Sequence, residues 1–287
     1  VNESAQPDRE ILNEDTRPAP SLVEDYYDAE AHLEWQRLER HRMEFAITMR
    51  ALAEYLPRTP QTVLDVGGGP GRYALALASL GHWVTLLDLS QSSLALARQK
   101  ARDEDIFLEQ VVHGNALDLS LFPSASFDAV LLLGPLYHLL TELERQQAVR
   151  EAWRVIAPGG LIFAAFITRN AAFRSLARLA PATLLERRKT WEAFLQTGIY
   201  RGRQEIGFTD AYFARPDEIK PLMQGVGFES LDLLACEGIL ADAEAQVNQL
   251  GGEAWQAWVD LKYQLSKDPS LHGAVYHLLY IGRKSGA

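Results

Sequence analysis

The chain has 287 residues, 47% hydrophobic and 23% charged, enough for one large or two small domains around a sizeable core. Its net charge of −10 opposes general attraction to nucleic acid or to an anionic membrane. The one cysteine, Cys236, can form neither an internal disulfide nor a thiolate cluster for zinc or iron–sulfur, and it reads as a buried apolar residue. No apolar run reaches the roughly 18 residues of a membrane span. The polar, acidic start VNESAQPDRE does not resemble a signal peptide, so a soluble protein of a reducing, cytoplasmic compartment is expected.

Residues 1–20, rich in Pro, Glu, Asp and Asn, predict a loosely ordered segment. Residues 21–57 read as a helical cover in two pieces, with Leu33, Leu38, Phe45, Ile47 and Leu52 as apolar positions and Pro57 and Pro60 as the stop. From 58 to 287 strands and helices alternate. Strands are expected at 62–66, 83–89, 106–113, 127–134, 161–167, 228–236 and 274–282. Helices are expected at 71–80, at 91–102 with Ser90 as cap, at 141–156 with Thr141 as cap and Pro158-Gly159-Gly160 as stop, at 216–225, and at about 241–266. Apolar strands alternating with helices predict an α/β fold, a mostly parallel sheet with helices on both faces. The rhythm breaks at about 168–215, an inserted helical lid split by Pro181.

Chemistry concentrates in VLDVGGGPGRY (63–73). Glycines after a strand expose bare backbone to a ligand, and the helix that follows points free amides and its positive end at it. Gly67, Gly68, Gly69 and Gly71 supply that backbone, and Asp88 at the end of the next strand can accept two hydrogen bonds from a ribose diol. The spacing describes a nucleoside pocket. Gly69, Gly71 and Ala74 also fit G-x-G-x-x-A, which keeps a nicotinamide-dependent oxidoreductase open. Against it stands Asp65, whose charge repels a pyrophosphate and welcomes a cation; Asn115 and Asp118 further on can read an adenine edge.

VLDVGGGPGRY, DLS at 88–90, GNALDL at 114–119, FDAVLLLGPLYHLL at 127–140 and RVIAPGGLI at 154–162 resemble, in order and separation, the motifs of class I S-adenosylmethionine-dependent methyltransferases over about residues 60–167. GFESLDLL resembles that family's penultimate strand. The resemblance implies a Rossmann-like seven-stranded sheet of order 3-2-1-4-5-7-6 with strand seven antiparallel. It implies S-adenosyl-L-methionine as cofactor, S-adenosyl-L-homocysteine as product, and in-line methyl transfer to a small-molecule acceptor. It places Asp65 and Gly67 near the methionine moiety, Gly69 and Gly71 in the turn, Asp88 on the ribose, Leu89, Asn115 and Ala116 around the adenine, and the backbone of Leu133 and Gly134 beside the methionine part.

His138, after the fourth strand, is the candidate general base or a loop support, and Tyr137 beside it lines the acceptor pocket or packs. Tyr26, Tyr27 and Arg42 are candidates for closing the cofactor pocket from the N-terminal segment. His277 reads as structural, and no histidine pair has metal-ligand spacing. GPLYH, in place of the Asn- or Asp-Pro-Pro-aromatic motif of nucleic-acid amino methyltransferases, counts against that activity. Arg169, Arg174, Arg178, Arg187, Arg188 and Lys189 give the lid a basic face, read either as solvated or as favouring an anionic substrate. They also leave RNA methylation as an alternative, and a cofactor-binding regulator without turnover is another. The sequence is silent on oligomeric state and on the accepting atom.

Overall fold

The computed structural model describes residues 19–202, 208–240 and 243–286. Two helices come first, α1 (Ala19–Arg40) and α2 (Arg42–Tyr55), broken at His41, whose φ of −105° and ψ of 56° leave the helical region. The segment expected to be loose at 1–20 lies almost wholly outside the described residues; α1 begins at its end. Leu33, expected to be apolar packing, is instead 52% exposed.

β1 (Thr62–Val66), α3 (Arg72–Ser79), β2 (Trp83–Asp88) and α4 (Gln91–Asp103) follow. α4 starts where it does because the Ser90 hydroxyl accepts the Ser93 amide. β3 is Gln110–His113, shorter than the 106–113 read from sequence. The turn that closes α4 reaches into that stretch: Asp105 takes a positive φ and the Ile106 amide bonds back to Ala101. β4 (Phe127–Leu132) leads through a turn at 135–137 to α5 (Glu142–Val155), which opens on a reciprocal capping box between Thr141 and Glu144.

β5 is Ile156–Ile167, so Pro158-Gly159-Gly160 lies inside the strand rather than before it, accommodated by an irregular register between Phe127 and Ala129 on β4. The insertion holds α6 (Arg169–Leu179), α7 (Thr183–Glu186), α8 (Arg188–Thr197) and a two-strand ladder of β6 (Ile199–Tyr200) and β7 (Ala211–Tyr212). α9 (Pro216–Val226) and β8 (Phe228–Ala235) come next. Two helices, α10 (Glu244–Val247) and α11 (Gly252–Ser266), occupy the stretch read as one. The last strand, β9, is His277–Lys284, three residues later than expected because 269–274 winds into a tight 3₁₀ turn.

The main sheet has the order β3-β2-β1-β4-β5-β9-β8. β6 and β7 pair only with each other, so β8 and β9 are its sixth and seventh strands and the implied order 3-2-1-4-5-7-6 holds. β9 runs antiparallel to both neighbours. Two cores flank the sheet. Ala148, Val149 and Ala152 of α5 with Ile219 and Met223 of α9 cover one face. Met43, Ile47, Ala51 and Leu52 of α2, Leu77 of α3 and Val259 and Tyr263 of α11 cover the other. Each fully buried large side chain contributes about 1.5–3 kcal/mol. A third cluster, built on Trp191, Phe194 and Phe213, lets the insertion pack on itself. Among the described residues no helix is long and apolar enough to cross a membrane.

Connections from β1 leave towards β2 on one side and towards the β4–β5 half on the other. The crevice beyond the carboxyl ends of β1 and β4 is therefore the place where such a sheet holds a ligand.

Candidate active site

Asp65 sits on β1 with no exposure, and neither carboxylate oxygen has a hydrogen-bond partner. Burial, then the nearby charge of Asp88, pushes its carboxyl up to about 7. The turn after β1 is shaped by close approach. A Cβ on Gly68 would lie 2.4 Å from Asp65 Oδ2 and 2.5 Å from Leu86. Gly69 has a φ of +56°, and a Cβ there would meet only Glu34 Cγ of α1, at 3.9 Å, so bare backbone faces the crevice beneath that helix.

The Gly69 amide donates to Asp88 Oδ2 at 2.7 Å and the Ser90 amide to Oδ1 at 2.8 Å. These bonds fix the Asp88 carboxylate at the end of β2 and leave lone pairs on both oxygens. Burial still raises it to about 6. Leu89, Asn115 and Ala116 continue the same wall, with Asn115 Oδ1 accepting the Leu117 amide at 2.9 Å. Leu133 and Gly134 form the opposite lip, where a Cβ on Gly134 would meet the Gly67 carbonyl at 2.9 Å.

One pocket thus gathers Asp65, Gly67, Gly68, Gly69, Asp88, Leu89, Asn115, Ala116, Leu133, Gly134, Tyr137, His138 and Tyr27. Three expected members are elsewhere. Gly71, in the left-handed region at φ +83°, starts α3 behind the turn. Tyr26 packs edge-on against Tyr27, outside the lining. Arg42 follows the break at His41 and so points away: it donates to the carbonyls of Asn248 and Leu250 and lies 4.1 Å over the Trp255 ring. Asp118, considered for the adenine edge, instead accepts the Ser120 amide and also lies outside.

α1 roofs the pocket with residues that the sequence reading missed: Val23, Glu34, Arg37 and Leu38. Val23, Tyr27, Glu34 and Leu38 recur at helical intervals of four, seven and four, with Arg37 three after Glu34, a stripe that was available as a signal. Arg37 bonds Glu34 at 2.8 Å and Glu44 at 2.7 Å. Burial alone would raise Glu44; Arg37 and His277 outweigh it and hold that carboxyl at about 2.

His138 is buried, with Nε2 2.8 Å from the Tyr27 hydroxyl and Nδ1 3.3 Å from the Asp210 carbonyl. A carbonyl only accepts, so Nδ1 carries the proton and Tyr27 donates to Nε2. Burial pushes His138 down to about 4 and keeps it neutral. The Tyr137 hydroxyl donates to the Leu133 carbonyl at 3.3 Å, and burial raises its pKa.

A second cavity of about 650 Å³ adjoins the first and shares Tyr27, Glu34, Arg37 and Tyr137 with it. His277, expected to be structural, lies on its wall with Nδ1 hydrogen-bonded to Glu237. Glu44, Glu237 and His277 bring potential ligand atoms within 4.8 Å of one another, a grouping that linear spacing hid. Arg37 and the His277 proton already balance those two acids. The basic face of the insertion is largely spent on structure: Arg169 pairs with Glu218 at 2.9 Å, Arg174 donates to the Ala274 carbonyl and Arg188 pairs with Glu192. Arg178 remains on the cavity wall.

Residues 64–164 match a protein family described as "Methyltransferase domain". A demethylmenaquinone methyltransferase of Listeria welshimeri is 36% identical over 102 residues, 34% of this chain and 41% of that protein. The chain thus spans less than half the length of the curated relatives it matches. An S-adenosylmethionine-dependent methyltransferase from Methanosarcina mazei superposes with a TM-score of 0.56 at 19% identity, covering 83% of this chain and 98% of the other. A magnesium protoporphyrin IX methyltransferase from Synechocystis, solved with S-adenosylmethionine bound, gives 0.55 at 13% identity over 94% and 99%. The sheet order and the glycine turn between two acids agree with the matched segment: residues 64–164 match a methyltransferase domain, and the chain has the fold of the S-adenosylmethionine-dependent methyltransferases.

Proposed function

We propose that the protein transfers a methyl group from S-adenosylmethionine to a small-molecule acceptor. One observation carries the reading: a fully buried carboxylate, Asp65, with no hydrogen-bond partner, set behind a turn of bare backbone. Such a group disfavours the diphosphate of a dinucleotide and suits a ligand whose reactive end is cationic. When bound, the cofactor supplies an activated methyl on a sulfonium.

The chain's own residues hold, orient and exclude water. Asp88 offers its free lone pairs to a diol, Leu89 and Ala116 give apolar faces to a base, and Asn115 borders its edge. Gly67, Gly68 and Gly134 present backbone to the amino-acid end. Tyr27 and Tyr137 stand where the two cavities meet, and α1 closes the pocket from above. A histidine held near 4 is a poor store for a proton at neutral pH, so His138 acts by aiming the Tyr27 hydroxyl.

A small acceptor is supported by the adjoining cavity and by the basic side chains of the insertion that are tied up in structure. Demethylmenaquinone methyltransferases among the relatives favour an organic ring as acceptor. The matched family segment ends at residue 164, before the insertion and β9 that wall the second cavity.

Two measurements test this reading. Labelled methyl from the cofactor should appear in a component of a metabolite extract, while NADH should bind far more weakly than S-adenosylhomocysteine; the reverse preference overturns it. Affinity for S-adenosylmethionine should also depend on pH. Asp65 near 7 and Asp88 near 6 are protonated or partly so in the free protein at pH 6, and a cation and a diol both favour the ionised forms. Binding therefore releases protons and should tighten about tenfold from roughly pH 5.5 to 7.5 before levelling off. Calorimetry in two buffers of unlike ionisation enthalpy reads that release.

A further inference from the structure

The second cavity has a mixed wall. The rings of Tyr137, Phe208, Phe213 and Tyr276 give it broad apolar faces. Each acid that lines it has a partner: Glu34 pairs with Arg37 at 2.8 Å, which Glu44 shares, Glu244 bonds His41 Nδ1 at 3.0 Å, and Glu237 bonds His277 Nδ1. Two further cations on the wall, Arg40 and Arg178, have no carboxylate partner among the described residues and stand exposed. They put two guanidinium groups without carboxylate partners on the wall of this cavity, in a chain that is strongly acidic overall.

His277 is the most constrained of these groups. Its backbone amide donates to Glu237 Oε2 at 2.9 Å, its Nδ1 is bonded to Oε1 of the same carboxylate, and Glu44 Oε2 lies 3.6 Å away. Against the burial that disfavours its charge, Glu44 and Glu237 raise it to about 9, with Arg37 acting in the opposite sense. The ring is thus an imidazolium at neutral pH, and Nε2–H has no partner among the described residues. A charged donor held rigidly in a cavity recognises an oxyanion.

We propose that this cavity takes the methyl acceptor and selects a flat ring carrying an ionised oxygen, which accepts a hydrogen bond from His277 Nε2 and is drawn in by Arg40 and Arg178 at the rim. The proposal rests on the methyl-transfer reading and names its acceptor class. It also supplies what His138 does not: where the ionised oxygen itself takes the methyl, the O–CH3 bond forms as the S–CH3 bond breaks, the electron pair goes to the sulfur, and no side chain has to remove a proton. Glu237 and Glu44 are positioning residues here, keeping the imidazole turned and charged.

The test uses the whole chain saturated with S-adenosylhomocysteine and three fluorescent probes: 1-naphthoate, its uncharged amide, and 2-naphthol. The naphthoate should bind about tenfold more tightly than the amide. 2-Naphthol, uncharged at pH 7, should bind no more tightly than the amide, because it ionises only where His277 is itself losing its charge; naphthol binding as tightly as naphthoate at pH 7 counts against an oxyanion site. Arg40→Ala with Arg178→Ala, both at exposed positions, should weaken naphthoate, not the amide, and steepen the loss at low salt. His277→Gln should remove most of the preference for the anion while leaving S-adenosylhomocysteine affinity unchanged. Equal affinity for naphthoate and amide, or a double arginine variant indistinguishable from the parent, overturns the proposal. Parallel titration with S-adenosylhomocysteine separates the two readings: a charge-blind cavity beside an intact cofactor site sinks only the acceptor class, whereas loss of cofactor binding in the parent protein sinks methyl transfer and this proposal with it.

Discussion

Asp65→Asn is expected to move stability and ligand affinity in opposite directions. The carboxyl is raised to about 7 from an ordinary value near 4, and it has no hydrogen-bond partner. A group whose folded-state pKa is raised binds its proton better in the native state, so its penalty is absent below about pH 4, grows as pH rises, and is full above about 7. At pH 8 that penalty is on the order of 4 kcal/mol at most. Asparagine keeps the shape and does not ionise. The ligand-free variant should therefore melt several degrees higher at pH 8, by about 2 °C for each kcal/mol recovered in a chain of this size, with the gain fading towards pH 4. Affinity for S-adenosylmethionine should meanwhile fall by roughly one to two orders of magnitude, because the negative charge proposed to meet its cationic end is gone. Scanning calorimetry across pH and titration with the cofactor read the two effects. A variant that loses stability at pH 8, or keeps full affinity, would refute the assignment of Asp65.

Asp88→Ala is expected to lose cofactor binding by a route that costs stability too. Its two oxygens hold the Gly69 and Ser90 amides, and the Ser90 hydroxyl then caps α4. Removing the carboxylate deletes the acceptor for a diol and frees the turn that presents bare backbone. Hydrogen bonds to a charged group contribute about 1.5–3 kcal/mol each, so affinity should drop by roughly a hundredfold or more. Asp88→Asn keeps one acceptor oxygen and should lie between. The ordering parent, asparagine, alanine in S-adenosylhomocysteine affinity is the readout; an alanine variant within threefold or so of the parent contradicts the ribose role.

The legible parts of this site are those made by backbone. Glycines at 67–69 beside Asp65, and Asp88 at the end of the next strand, lie within 24 residues, and chain geometry alone brings them together. The sheet order was carried by the resemblance, since alternation of strands and helices fixes only that the sheet is mostly parallel and covered on both faces. The second cavity was not legible. Arg40, Arg178, Glu237 and His277 come from four distant stretches, and only tertiary packing gathers them. His277 is instructive: alone on a buried strand it reads as support, and its charge follows from Glu44 and from Glu237, which stands two residues past the end of β8. Arg42 failed for a local reason. One non-helical residue, His41, turns the chain between α1 and α2, so a side chain that an unbroken helix would have set one turn beyond Leu38 is carried to α10 and α11.

α1 is attached mainly along its edges. Asp28 accepts the Ser90 hydroxyl at 2.6 Å and the Ser92 amide at 3.0 Å, Tyr27 bonds His138, and Arg37 bridges to Glu44. Few of its side chains reach either main core. A helix so fastened can lift as a unit by exchanging a handful of polar contacts for water, at little cost in buried apolar area. Because it roofs the pocket beyond β1 and β4, the same handful of polar contacts that fastens the N-terminal helix also stands between that pocket and solvent.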